Sequence, residues 1–176
     1  MGARNGWAAD VEHNGVAEVR WPGPAPFCEA GDQSCEVLIV GIDARLEDQH
    51  GRLLDELSDA SGHVNWLLSL IAPDVTGCVR SIDPYGETVF NSLQIDHLKA
   101  ELQELRDHIT DDALAASKRQ YLSSFDHMQP GVVREATRNA DRISTSTLLE
   151  HLAKLLALIS AAEQAGPHHY VRFVGG

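Results

Sequence analysis

Apolar and polar positions alternate with different periods along this chain, and the period changes mark its elements. Between Glu36 and Ile42, the residues Val37, Leu38, Ile39, Val40 and Ile42 form a nearly unbroken apolar run rich in β-branched side chains. Such a run predicts a central strand covered on both faces, ending at Asp43. From Gln49 to Leu57, Leu53, Leu54 and Leu57 fall at helical spacing and predict a short helix, which Ser58, Ser61 and Gly62 end. Val64–Ala72 is apolar, fits either strand or helix, and is closed by Pro73-Asp74. Ile95, Leu98, Leu102, Leu105 and Ile109 repeat at three- and four-residue steps, so Gln94–Ile109 reads as a helix with one buried stripe. Asp111–Leu122 and Val132–Asp141 read as further helices with weaker apolar faces. The strongest pattern is Leu148–Ala165, where Leu148, Leu149, Leu152, Leu155, Leu156 and Ile159 supply the buried face. Thr147 and Glu150 have the spacing of a capping box at its start, and Gly166-Pro167 stops it. His169–Val174 then reads as a C-terminal strand.

Toward the N-terminus, Gly15–Trp21 reads as a short strand. The three prolines of Trp21-Pro22-Gly23-Pro24-Ala25-Pro26-Phe27 end it, because each removes an amide donor. In the middle of the chain, Cys78–Ile82 and Thr88–Leu93 flank Asp83-Pro84-Tyr85-Gly86. Asp accepts from nearby backbone, Pro presets φ and Gly tolerates the last position, so this stretch predicts a turn and a β-hairpin.

The segment Ile82-Asp83-Pro84-Tyr85-Gly86-Glu87-Thr88-Val89-Phe90-Asn91, with Leu93-Gln94 after it, carries a resemblance. Together with the strand before Asp43, two leucine-rich helices and the terminal Val174-Gly175-Gly176, it resembles a family of small bacterial α/β proteins without an assigned activity. The likeness covers Glu36–Gly176. It implies the strand and turn readings and supplies no catalytic residues to carry over.

These elements predict an α+β or mixed α/β fold. Residues 1–35 form an irregular extension, and residues 36–176 form one domain. Its mixed sheet has a central hairpin at about residues 78–93, covered by helices at about 94–109 and 148–165. A chain of 176 residues suffices for one domain with a sizeable core. No apolar run approaches the roughly 18–20 residues that span a bilayer. The N-terminus lacks the apolar core of a secretory signal. Three cysteines, Cys28, Cys35 and Cys78, make no C-x-x-C or zinc pattern, which points to a reduced cytoplasmic chain and leaves a Cys28–Cys35 disulfide as the lesser alternative.

Charge changes the picture more than composition does. The formal net charge is −12. Residues 1–92 hold 15 acidic against 5 basic side chains, whereas residues 93–176 hold 11 against 9. The acid concentrates between Glu29 and Asp59, where nine carboxylates face only Arg45 and Arg52. Such a field repels nucleic-acid phosphate and attracts a basic protein. Glu47, Asp48, Asp55 and Glu56, flanking the expected short helix, are the candidate binding residues.

Candidate chemistry is sparse. His97, Glu101, Glu104 and His108 line one flank of a helix but stretch roughly 16 Å along it at 1.5 Å per residue, so they read as a solvated flank. His168 and His169 are adjacent on a strand and point to opposite faces. Asp43 and Asp83 each end an expected strand, where carboxylates can hold Mg²⁺ or act as acid and base. Arg134, Arg138 and Arg142, with Lys118 and Arg119, form the one basic region and read as a solvated or charge-paired face. There is no nucleophile elbow, P-loop, dinucleotide fingerprint or H-E-x-x-H. The expectation is therefore a non-catalytic acidic binding module without cofactor or metal. Its sharper form is an immunity- or antitoxin-like protein that neutralises a basic effector such as a nuclease. The alternative is a small metal-dependent hydrolase or transferase using Asp43, Asp83 and a histidine.

Overall fold

Alternation sets the first strand. In Ile42–Asp48 (β1), Ile42, Ala44 and Leu46 are buried, while Asp43, Arg45 and Asp48 are half-buried. The computed structural model describes residues 41–71 and 77–176. Within them β1 is followed by Leu53–Leu57 (β2), His63–Ser69 (α1), a 3₁₀ turn at Val79–Ser81 and Glu87–Phe90 (β3). Four helices come next, Ser92–His108 (α2), Asp111–Ser123 (α3), Pro130–Asp141 (α4) and Thr145–Ala165 (α5), and His169–Gly175 (β4) closes the series.

The four strands form one antiparallel sheet in the order β2-β1-β4-β3. The fold is thus α+β. Ile42, Ala44 and Leu46 on β1 and Val171 and Phe173 on β4 point to the core, where α5 lies against β1, β2 and β4. α2 packs on α5 and reaches β3 and β4. α5 is the central helix because its apolar positions recur along its length, burying Leu148, Leu152, Leu155, Leu156, Leu158 and Ile159. Phe90 of β3 meets Phe173 of β4 edge to face at 5.7 Å. Trp66, Tyr121 and Phe125 extend the core under α3. No described helix is long and apolar enough to cross a membrane.

Several elements differ from the sequence expectation. The expected strand at Glu36–Ile42 lies, except for its last two residues, outside the described residues, as do the strand at Gly15–Trp21 and Cys28 and Cys35. The described strand starts at Ile42 and runs through Asp43, because the charged positions alternate onto the polar face of the sheet. The short helix at Gln49–Leu57 is a hairpin instead. Asp48 turns the chain by accepting the amides of His50 at 2.9 Å and Arg52 at 3.0 Å, and Gly51 supplies a φ of 74°. Leu46 then pairs with Asp55 and Glu47 with Leu53, leaving Leu54 as the extra residue of a bulge. That bulge makes two adjacent leucines look helical.

The hairpin expected at 78–93 does not form, and the sheet is antiparallel rather than mixed. Cys78–Ser81 curls into a 3₁₀ turn because Glu101 Oε1 accepts the Cys78 amide at 3.0 Å and Oε2 that of Val79 at 2.9 Å. β3 pairs with β4, with Glu87 opposite Val174 and Phe90 opposite Val171. The helix expected at Leu148 starts at Thr145, one turn earlier, because Ser144 is its cap and Thr147 completes the box.

Candidate functional site

The four candidate binding residues come together on the β1–β2 hairpin, in unequal settings. Glu47 is buried at 9% exposure and takes the Arg172 Nε at 3.0 Å. Arg172 also donates to Glu87 at 2.7 Å, and Arg45 donates to Glu56 at 2.7 Å, so an ion-pair row crosses the polar face of the sheet. Asp48 is spent on the turn and pairs with Arg52 at 3.2 Å. Asp55 is exposed, its carboxylate accepting only the neighbouring Glu56 amide among the described hydrogen bonds. β2 is the outer strand of the sheet, and no strand lies beside its outer edge among the described residues. Leu53 and Leu54 are 48% and 44% exposed on it.

The most distinctive stretch of sequence builds the fold. Asp83 Oδ1 accepts the Tyr85 amide at 2.9 Å, and Thr88 Oγ1 bridges Asp83 and Ser81 at 3.0 Å on each side. Gly175 must be a glycine, since a Cβ there would lie 2.1 Å from the Pro84 oxygen. Asn91 caps α2, and Gln94 returns the bond to complete the box. Asp83 is therefore occupied by its turn. Asp43 accepts the Asp59 amide at 2.8 Å and lines a cleft of about 310 Å³ with Gly41, Ser58, Asp59 and Gly175. Among the described residues no histidine joins Asp43 and Asp83 in a common ligand set.

The helical flank also resolves into separate roles. Glu101 caps the 3₁₀ turn, and the His108 ring contacts the Glu104 carbonyl at 3.1 Å within its own helix. Cys78 is half-buried, and burial pushes its thiol pKa up, with the Glu101 carboxylate adding to the effect, so it is a poor nucleophile. His168 is exposed, and the His169 ring faces the Gly166 carbonyl at 3.4 Å. Arg134, Arg138 and Arg142 are exposed, with Arg138 paired to Glu135 at 2.7 Å, and Lys118 donates to the Ile143 carbonyl.

A second cluster sits behind β1. Asp59, at 1% exposure, receives the amides of His63 at 2.7 Å on Oδ1 and of Val64 at 2.9 Å and Ile42 at 3.3 Å on Oδ2. It thereby fastens the start of α1 to the start of β1. Gly41 makes room for it, since a Cβ at 41 would lie 2.2 Å from the Asp59 carbonyl oxygen. The rings of His63 and His151 lie 4.9 Å apart and nearly parallel. Burial lowers the His151 pKa, with Asp59 opposing that shift. These two histidines lie outside the groups that the sequence pattern singles out. The readable signals were Asp59 and His63 four residues apart, and His151 standing on the leucine stripe of α5 between Leu148 and Leu155.

No family model, curated protein or solved structure matches this chain.

Proposed function

We propose that this protein is a non-catalytic binding module that takes a basic, extended protein segment along β2. The observation that carries the reading is the exposed acidic edge strand. It offers a backbone edge with no strand beside it among the described residues, two outward leucines, and the carboxylates of Asp55 and Glu56 beside them. An added strand gains main-chain hydrogen bonds from such an edge and side-chain selectivity from its alternation. Residues 41–59 hold six acidic side chains against two arginines. Glu47, Asp48 and Glu56 have arginine partners and Asp59 is buried, so the preference for a basic segment rests chiefly on the exposed carboxylate of Asp55. The same charge, with the bulge at Leu54, works against pairing of two copies edge to edge.

The sharper form of this reading is an immunity- or antitoxin-like protein acting in the cytoplasm on a basic effector such as a nuclease. A carboxylate-rich edge competes there with the phosphate that the effector would bind, and it speeds encounter. The test uses an extended peptide of alternating lysine and valine, with a serine–glycine peptide as control, and follows association kinetics at low and physiological salt. The lysine–valine peptide should bind, with an on-rate that falls as the Debye length shortens to about 8 Å. Leu54→Lys, and Asp55→Asn with Glu56→Gln, should each weaken it while the fold persists. Binding that ignores salt and all three substitutions removes the edge-strand reading.

A further inference from the structure

We propose that Asp59, His63 and His151 bind one divalent cation of the Zn²⁺ class. The three side chains come from the turn after β2, the first turn of α1 and the second turn of α5, and their ligand atoms all lie within 4.8 Å of one another. His63 Nδ1 is 3.4 Å and His151 Nε2 is 3.8 Å from Asp59 Oδ1. Bonds of about 2.0–2.2 Å in a tetrahedral arrangement place neighbouring ligand atoms roughly 3.4 Å apart. The first separation meets that value and the second exceeds it by a few tenths of an ångström. The His63 side chain retains 20% exposure, so its ring has room to rotate and close the set.

The decisive atom is His151 Nε2. It is buried, its residue is 7% exposed, and no hydrogen-bond partner reaches it among the described residues. A buried polar atom left in this state is costly. Capping of α1 explains why Asp59 is buried, but it requires no histidine from α5. A cation explains both, because it takes the lone pair of Nε2 and a free lone pair of Oδ1 together. Two imidazoles and a carboxylate from a protein interior are a donor set suited to Zn²⁺. Three protein ligands leave a fourth position for water on the solvent side of His63.

This site is independent of the β2 edge. Its test is metal binding by the full chain, stripped with chelator and titrated with Zn²⁺ by calorimetry and with Co²⁺ by visible absorption. One equivalent should bind, with the intense d–d bands of tetrahedral Co²⁺. His151→Leu and His63→Ala should each weaken binding by about tenfold or more, as loss of a ligand does at least as strongly as loss of its supporting contact. Both variants should keep the far-UV spectrum, since His63 holds Asp59 through its backbone amide. Should His151→Leu misfold, His63→Ala carries the test. His97→Ala with His108→Ala, on the exposed flank of α2, should leave binding unchanged. The proposal is overturned if the full chain takes up no stoichiometric metal. It is equally overturned if uptake survives both cluster substitutions or vanishes with the α2 pair.

Discussion

Arg172 on β4 is the only described cation in contact with the buried carboxylate of Glu47 on β1, with Nε 3.0 Å from Oε2. Replacing Arg172 with Met leaves that carboxylate without its charged donor. The expected loss is about 1–3 kcal/mol, moderated because Arg172 is itself partly exposed. Glu56→Gln, which breaks the more exposed pair with Arg45, should cost less than about 1 kcal/mol. Urea melts of the two variants decide the matter, and equal losses would show that Glu47 does not depend on Arg172.

Glu101 should prove a structural residue among neighbours that are not. Its two carboxylate oxygens hold the Cys78 and Val79 amides, so Glu101→Ala should lower stability by about 1–3 kcal/mol. His97→Ala and Glu104→Ala, on exposed positions of the same helix, should stay within about 0.5 kcal/mol. Denaturant midpoints that rank the three otherwise would contradict this role.

Leu152 and Leu155 are each 1% exposed on α5. Either substitution to Ala should cost about 2–5 kcal/mol, through lost burial and the cavity left behind. Leu149→Ala, at a position 38% exposed, should cost clearly less. Comparable losses at all three would mean that the helix face is misplaced.

Burial pushes the Tyr121 hydroxyl up to about 12, with the Glu135 carboxylate adding to the shift. An unfolded tyrosine ionises near 10, so above that pH the unfolded chain sheds this proton while the folded chain keeps it. Stability should therefore fall as pH rises from about 10 toward 12. Tyr121→Phe should remove that part of the decline, measured as the difference between the two proteins in melts on either side of pH ~10. Identical slopes would place the hydroxyl in a solvated setting.

The helices were legible in the sequence because their stripes are long. α2, α3 and α5 appear within a few residues of the expected bounds, and the C-terminal strand starts at His169 as read. The strands were harder. β1 alternates apolar and charged residues, a weaker signal than the unbroken apolar run before it. The bulge at Leu54 imitated helical spacing, and a single adjacent leucine was enough to do so. The hairpin at 78–93 failed for a reason no local pattern contains. Its turn and its second strand form, but the pairing partner is β4, some eighty residues later, and Glu101 holds the first strand's residues in a 3₁₀ turn. The Asp59, His63 and His151 cluster was likewise scattered over three elements and came together only through packing.

β4 is the last described strand, yet it fills an inner place in the sheet, between β1 and β3. During synthesis, then, β1 and β3 wait for residues 169–175 before either has its full set of neighbours. The β1–β2 hairpin can close early, being local. The other two pairings join segments far apart in sequence, with Glu47 and Arg172 separated by 125 positions and Glu87 and Arg172 by 85. Closing so long a loop is slow, and until it closes the inner edges of β1 and β3 remain open to other chains. The nascent protein is thus most vulnerable until residues 169–175 emerge, and that strand acts as the keystone that ends the exposure.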